Sequence, residues 1–103
     1  MTRSIYKFRF CKTAPMEHIK NALFLATLAA QSLHGRCAVR LDTSYYLDIR
    51  TRTFMIDAED RISCDIARIF TGFLADTIGD DKFSIKMIEG RIPSLPHFRI
   101  DGI

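Results

Sequence analysis

From Ile5 to Lys12 apolar and polar positions alternate, with Tyr6, Phe8 and Phe10 on one side and Lys7 and Arg9 on the other. A period of two predicts a half-buried strand. Thr13, Ala14 and Pro15 then read as a helix start, since threonine caps free amides and proline is tolerated in the first turn. From there the period lengthens. Ile19, Ala22, Leu23, Ala26, Ala30 and Leu33 form one helical stripe that ends at Gly35, a residue suited to a left-handed helix end. Phe24, Leu25 and Leu28 fall outside that stripe. A helix apolar over so wide an arc predicts a second surface packed on it, so a homo-oligomer through the first helix is expected.

Alternation returns with Cys37, Val39 and Leu41, and again with Tyr45, Leu47 and Ile49. Two strands are expected, turning either at Asp42–Ser44 or at Thr51–Thr53, because no Gly, Pro or Asn punctuates residues 42–57. Asp57 or Asp60 then caps a second amphipathic helix carrying Ile62, Ile66, Ile69, Phe70, Phe73, Leu74 and Ile78, which stops at Gly79. In a last strand Phe83, Ile85 and Met87 share one face, opposite Ser84, Lys86 and Ile88. Residues 90–103, with Pro93 and Pro96, form an extended tail that docks on the body through Ile92, Leu95, Phe98 and Ile100.

This order, with no repeat, linker or low-complexity segment, predicts a single domain over residues 1–103. Its fold class is α+β, a two-layer βαββαβ sandwich with a mainly antiparallel four-stranded sheet and both helices on one face. A length of 103 residues, 48% hydrophobic and 26% charged, suits one such core.

A net charge of +3 is too mild to imply nucleic-acid binding by itself. Its placement matters more than its size. If the alternations hold, Lys7, Arg9, Arg40, Arg50 and Lys86 point to the helix-free face, with Arg52 nearby, and offer a surface for an anionic ligand or a nucleic-acid backbone. The three cysteines, Cys11, Cys37 and Cys64, are odd in number and far apart. Neither a disulfide framework nor a metal site is expected from them, and a reducing cytoplasm fits. The apolar run Ala22–Ala30 is far shorter than the roughly 18 residues of a membrane span. It imitates a signal-peptide core, but the strand-like alternation ahead of it favours a helix within the domain.

The common catalytic fingerprints are absent: no GxGxxG, P-loop, GxSxG or HExxH occurs. An enzyme is not indicated, and neither is a cofactor. His34 with Cys37 offers too few ligands for a closed metal site, and His97 stands alone. His18 has the most chemical promise. It falls in the opening turns of the first helix, where amides and the helix dipole favour an anion, and Lys20 follows two residues later.

The segment Thr13-Ala14-Pro15-Met16-Glu17-His18-Ile19-Lys20 resembles the active-site loop of the histidine-containing phosphocarrier proteins (HPr) of the sugar phosphotransferase system. Residues 69–79 and the following Lys82-Phe83-Ser84-Ile85 are similar to the family's regulatory helix, glycine turn and last long strand. The resemblance implies a phosphorylated histidine at His18 and a charge-stabilising cation at Lys20. It also implies an HPr-like layout, beside which a ferredoxin-like one fits the same element order. This chain differs in having Met16-Glu17 before the histidine and Lys20-Asn21 after it, where the family has Gly-Leu and Arg-Pro.

Together these features lead us to expect a small cytosolic regulatory or interaction module that meets a protein partner or a second copy of itself, with phosphoryl carriage on His18 as its sharpest form. The alternative is a non-catalytic domain binding an anion or nucleic acid on the basic sheet face.

Overall fold

The computed structural model describes residues 3–36 and 45–92. The elements run β1 (Arg3–Phe10), α1 (Met16–His34), β2 (Tyr45–Asp48), β3 (Thr53–Asp57), α2 (Arg61–Thr77), a 3-10 turn at Asp80–Lys82, and β4 (Phe83–Gly90). This is the expected βαββαβ order. The four strands form one sheet in the order β2-β3-β1-β4, with every neighbouring pair antiparallel. Each βαβ unit is therefore split by a strand of the other, since β3 lies between β1 and β2, and β1 lies between β3 and β4. That interleaving is the ferredoxin-like arrangement.

The alternation in β1 decides which residues meet the helices. Phe8 lies against Phe54 of β3 and Phe70 of α2, with ring centroids 5.5 and 5.3 Å away, and Phe54 and Phe70 close the triangle at 5.0 Å. Edge-on and tilted aromatic contacts of this kind add to the area term of burial. Around them α1 supplies Ile19, Ala22, Leu23, Ala26 and Ala30, and α2 supplies Ile62, Ile66, Ala67 and Leu74, all buried. Ala22, Ala26 and Ala30 recur every four residues, a row of small side chains on the face that α1 turns inward. At the far end of α1, His34 Nε2 lies 2.7 Å from Asp65 Oδ2 and ties this end to the first turns of α2.

Several expectations resolve here. The hairpin turns at Ile49–Arg52, the later of the two choices, and the sequence lacks its usual punctuation because Arg52 itself takes the left-handed position, φ 55°. Asp60, rather than Asp57, caps α2, its side chain accepting from the Ser63 amide at 2.9 Å. Asp57 instead pairs with Arg3 at 2.8 Å. Thr13 does not cap α1: Pro15 holds the N-cap position and no side chain bonds there. Leu33, placed in the buried stripe by its spacing, is 68% exposed, because it lies in the last turn of α1. Cys37, Val39 and Leu41, Arg40, His97 and the docking of the tail beyond Ile92 fall outside the described residues.

Candidate functional site

The helix-free face of the sheet is set by the same alternation that builds the core. Arg3, Ile5, Lys7 and Arg9 of β1 point to it, and the strand registers bring up their neighbours. Lys7 sits directly opposite Lys86 of β4 and Met55 of β3, while Arg9 sits opposite Ser84 and Thr53. On β2, Tyr46 lies opposite Met55 and Asp48 opposite Thr53. Like charges directly opposed across a strand pair cost stability, so the Lys7–Lys86 pairing is not what sheet formation alone would select. Among the described residues no ion pair engages Lys7, Arg9 or Lys86. Three cations thus stand together on one patch, with Arg9 and Lys86 exposed and Lys7 half-buried.

Toward the other end this face turns apolar. Ile5 and Tyr46 are buried there although they lie outside the helix-side core. The Tyr46 hydroxyl donates to Asp48 Oδ2 at 3.3 Å. Burial, with the Asp48 charge beside it, pushes the Tyr46 phenol up from its ordinary range. Asp48 also accepts from the Arg50 amide at 3.0 Å. Burial acts to raise its carboxyl, but hydrogen bonds from Thr51, Arg50 and Tyr46 outweigh it and leave the group below its usual value.

Arg50, assigned to this face by alternation, and Arg52, expected nearby, lie elsewhere. Arg50 occupies the β2–β3 turn, where the strand has ended and its alternation no longer applies. Arg52 follows it in the turn, and its guanidinium donates to the carbonyls of Lys12 and Ala14 at 2.8 and 2.9 Å. It clamps the loop that leads into α1. The forked, always-charged geometry of arginine fits two carbonyls at once.

That loop holds a second cluster. Lys82 Nζ donates to Thr13 Oγ1 at 3.1 Å, and Thr13 Oγ1 and Cys11 Sγ share a hydrogen bond of 3.1 Å. With the threonine lone pairs facing the ammonium, its hydroxyl proton is free to turn to the sulfur. The hydrogen bond from Thr13, aided by nearby backbone amides and the Lys82 charge, lowers the exposed Cys11 thiol from its ordinary value. From the sequence Cys11 carried only the expectation of no disulfide and no metal site, and nothing local pointed further, because Lys82 arrives from 69 residues away from Thr13.

His18 is exposed and is the third residue of α1, its own amide already bonded to the Pro15 carbonyl at 3.1 Å. Lys20 is exposed too, but two residues along a helix turn through about 200°, so it lies on the other side of α1 from His18. His34, the other described histidine, is engaged by Asp65. Among the described residues no three His, Cys, Asp or Glu side chains form a group able to hold a metal ion. No described helix is long and apolar enough to cross a membrane. No protein-family profile, curated protein or solved structure matches the chain.

Proposed function

We propose that this chain is a small non-catalytic interaction module that takes an anionic partner, in its simplest form a phosphate backbone, on the helix-free face of its sheet. The observation that carries this reading is the facing of Lys7 and Lys86, with Arg9 beside them and no carboxylate paired to any of the three among the described residues. An anion bridging the two ammonium groups removes the repulsion between them. A flexible single strand suits the patch better than a folded helix, since its phosphates adapt to cations spaced by the sheet.

Anisotropy of a labelled single-stranded oligonucleotide tests it. Three neutralised phosphates give a slope of log K against log salt of about −2. Lys7→Gln, Arg9→Gln and Lys86→Gln should each flatten the slope and weaken binding, whereas Lys20→Gln, on α1, should not. Binding indifferent to salt, or equally weakened by Lys20→Gln, rejects the reading.

A second form places the anion on His18 itself as a phosphoryl group. What favours it is the exposure of His18 in the first turn of α1, at a helix start with no side-chain cap to occupy the free amides. Incubation with a phosphohistidine donor system should then leave an acid-labile phosphate on His18, absent in His18→Ala. A folded, unmodified protein removes this form and leaves the sheet-face reading untouched.

A further inference from the structure

Among the described residues the outer strand β4 has an unpaired main-chain edge along its length. Its eight residues pair with β1 on one side only, and β4 is last in the sheet order. Which of its backbone groups face outward follows from the bonds just beyond the strand. The Cys11 amide donates to the Lys82 carbonyl at 2.9 Å, and Cys11 and Lys82 continue the β1–β4 register by one step. In an antiparallel ladder the bonded positions alternate, so Lys82, Ser84, Lys86 and Ile88 direct their amides and carbonyls to β1. Phe83, Ile85, Met87 and Glu89 direct theirs outward. The bond from the Phe10 amide to the Arg52 carbonyl gives the complementary parity on the other side of β1, which confirms the assignment.

The side chains of those same residues lie on the helix side of the sheet, yet no described element seals them there: Ile85 is 39% and Met87 60% exposed. Solvent-facing edge strands are usually protected by proline, a bulge, an inward charge or shortness. The other edge, β2, has only four residues. β4 has none of these protections on its helix side before Glu89.

We propose that β4 pairs with β4 of a second copy of this chain, antiparallel about a two-fold axis at Ile85. Self-pairing about an axis normal to the sheet keeps both pairs of helices on one side, so facing residues must share a face. That leaves few registers. Centring on Lys86 sets two lysines against each other in the closely spaced, non-bonded position, which charge repulsion disfavours. Centring on Met87 sets Ile85 against Glu89 of the other copy. Centring on Ile85 pairs Ile85 with itself and Phe83 with Met87, in three bonded positions that supply about six main-chain hydrogen bonds. An apolar row then closes over the join, and Lys86 meets Ser84 on the opposite face. Complementarity to itself is what selects a second copy as the occupant. The interface differs from the α1 contact that the wide apolar arc of that helix suggests, although Phe24, Leu25 and Leu28 of α1 are also partly exposed.

Amide hydrogen exchange and sedimentation, both followed across protein concentration, test this on the full chain. Exchange at the outward amides of Ile85 and Met87 should slow by roughly tenfold or more as the dimer fills, while that of the inward Lys86 amide, already bonded in the monomer, changes far less. Ile85→Pro removes an amide the monomer does not use, so it should yield a folded monomer. Leu25→Lys with Leu28→Lys should remain dimeric. A monomer at millimolar concentration overturns the proposal, as does a dimer that Leu25→Lys with Leu28→Lys dissociates. Concentration-independent protection of Ile85 and Met87 that vanishes when residues 93–103 are deleted also overturns it, by giving the edge to this chain's own end. Should Ile85→Pro not fold, the exchange pattern of the unaltered chain decides.

Discussion

The Ser63 hydroxyl is buried in the first turn of α2 with no hydrogen-bond partner among the described residues, while its amide is used by the Asp60 cap. An unsatisfied buried hydroxyl costs free energy, and alanine keeps the helical backbone and the cap. Ser63→Ala should therefore stabilise the fold by about 1 kcal/mol in urea unfolding, against the usual direction of core substitutions. Cys11 shows the opposite situation, a polar contact that changes reactivity. Because Thr13 and Lys82 favour its thiolate while burial pushes the Cys64 thiol up, alkylation should reach Cys11 at lower pH than Cys64. Thr13→Val should shift the Cys11 profile to higher pH and leave Cys64 unmoved, as read by peptide mass spectrometry over a pH series. These residue-scale properties were beyond sequence reading for a definite reason. A cysteine or serine in an apolar stretch looks alike whether it is inert, orphaned or activated, and the partner that decides comes from a distant segment.

At the scale of elements, the Ile49–Arg52 turn and the loop before α1 act as one unit held by Arg52. Its left-handed backbone, unusual for any residue that carries a Cβ, is offset by two charge-assisted bonds to Lys12 and Ala14. Glycine at this position removes the strain and the bonds together, whereas alanine keeps the strain and removes the bonds. Arg52→Ala should thus cost more than Arg52→Gly, by about 1 kcal/mol in unfolding free energy, and both should speed amide exchange in the first turn of α1. A reversed order would show that the turn is held by something else. The long elements were legible from periodicity: β1, both helices and β4 lie where the apolar spacing put them, and Gly35 and Gly79 end or follow helices with φ near 90°. The hairpin was not, because its turn uses an arginine in place of glycine or asparagine and its stabilising contacts are not local.

For the whole molecule, the interleaved strand order turns two separate alternations into one surface. Lys7 and Lys86 are far apart in sequence, and each alone reads as an ordinary solvated lysine. Only the antiparallel pairing of β1 with β4 makes them face each other. The assignment of Lys7, Arg9 and Lys86 to one face was legible because alternation survives into the sheet, whereas the inclusion of Arg50 failed where the strand ended. If the facing lysines serve an anionic partner, stability and binding should oppose each other at this pair. Lys86→Glu replaces a repulsive cross-strand contact by an attractive one. At low salt it should raise unfolding free energy by a few tenths of a kcal/mol, the scale of an exposed cross-strand pair, and that gain should fade as salt screens it. The same substitution should abolish oligonucleotide binding in place of merely weakening it, since a carboxylate now occupies the centre of the patch. Lys86→Gln provides the intermediate case, with the repulsion gone but no new attraction. Measured at a concentration low enough to keep the chain monomeric, the series should rank Lys, Gln, Glu upward in stability and downward in affinity. A parallel ranking, with stability and affinity falling together, would mean that Lys86 supports the sheet itself and that the anion belongs elsewhere on the molecule.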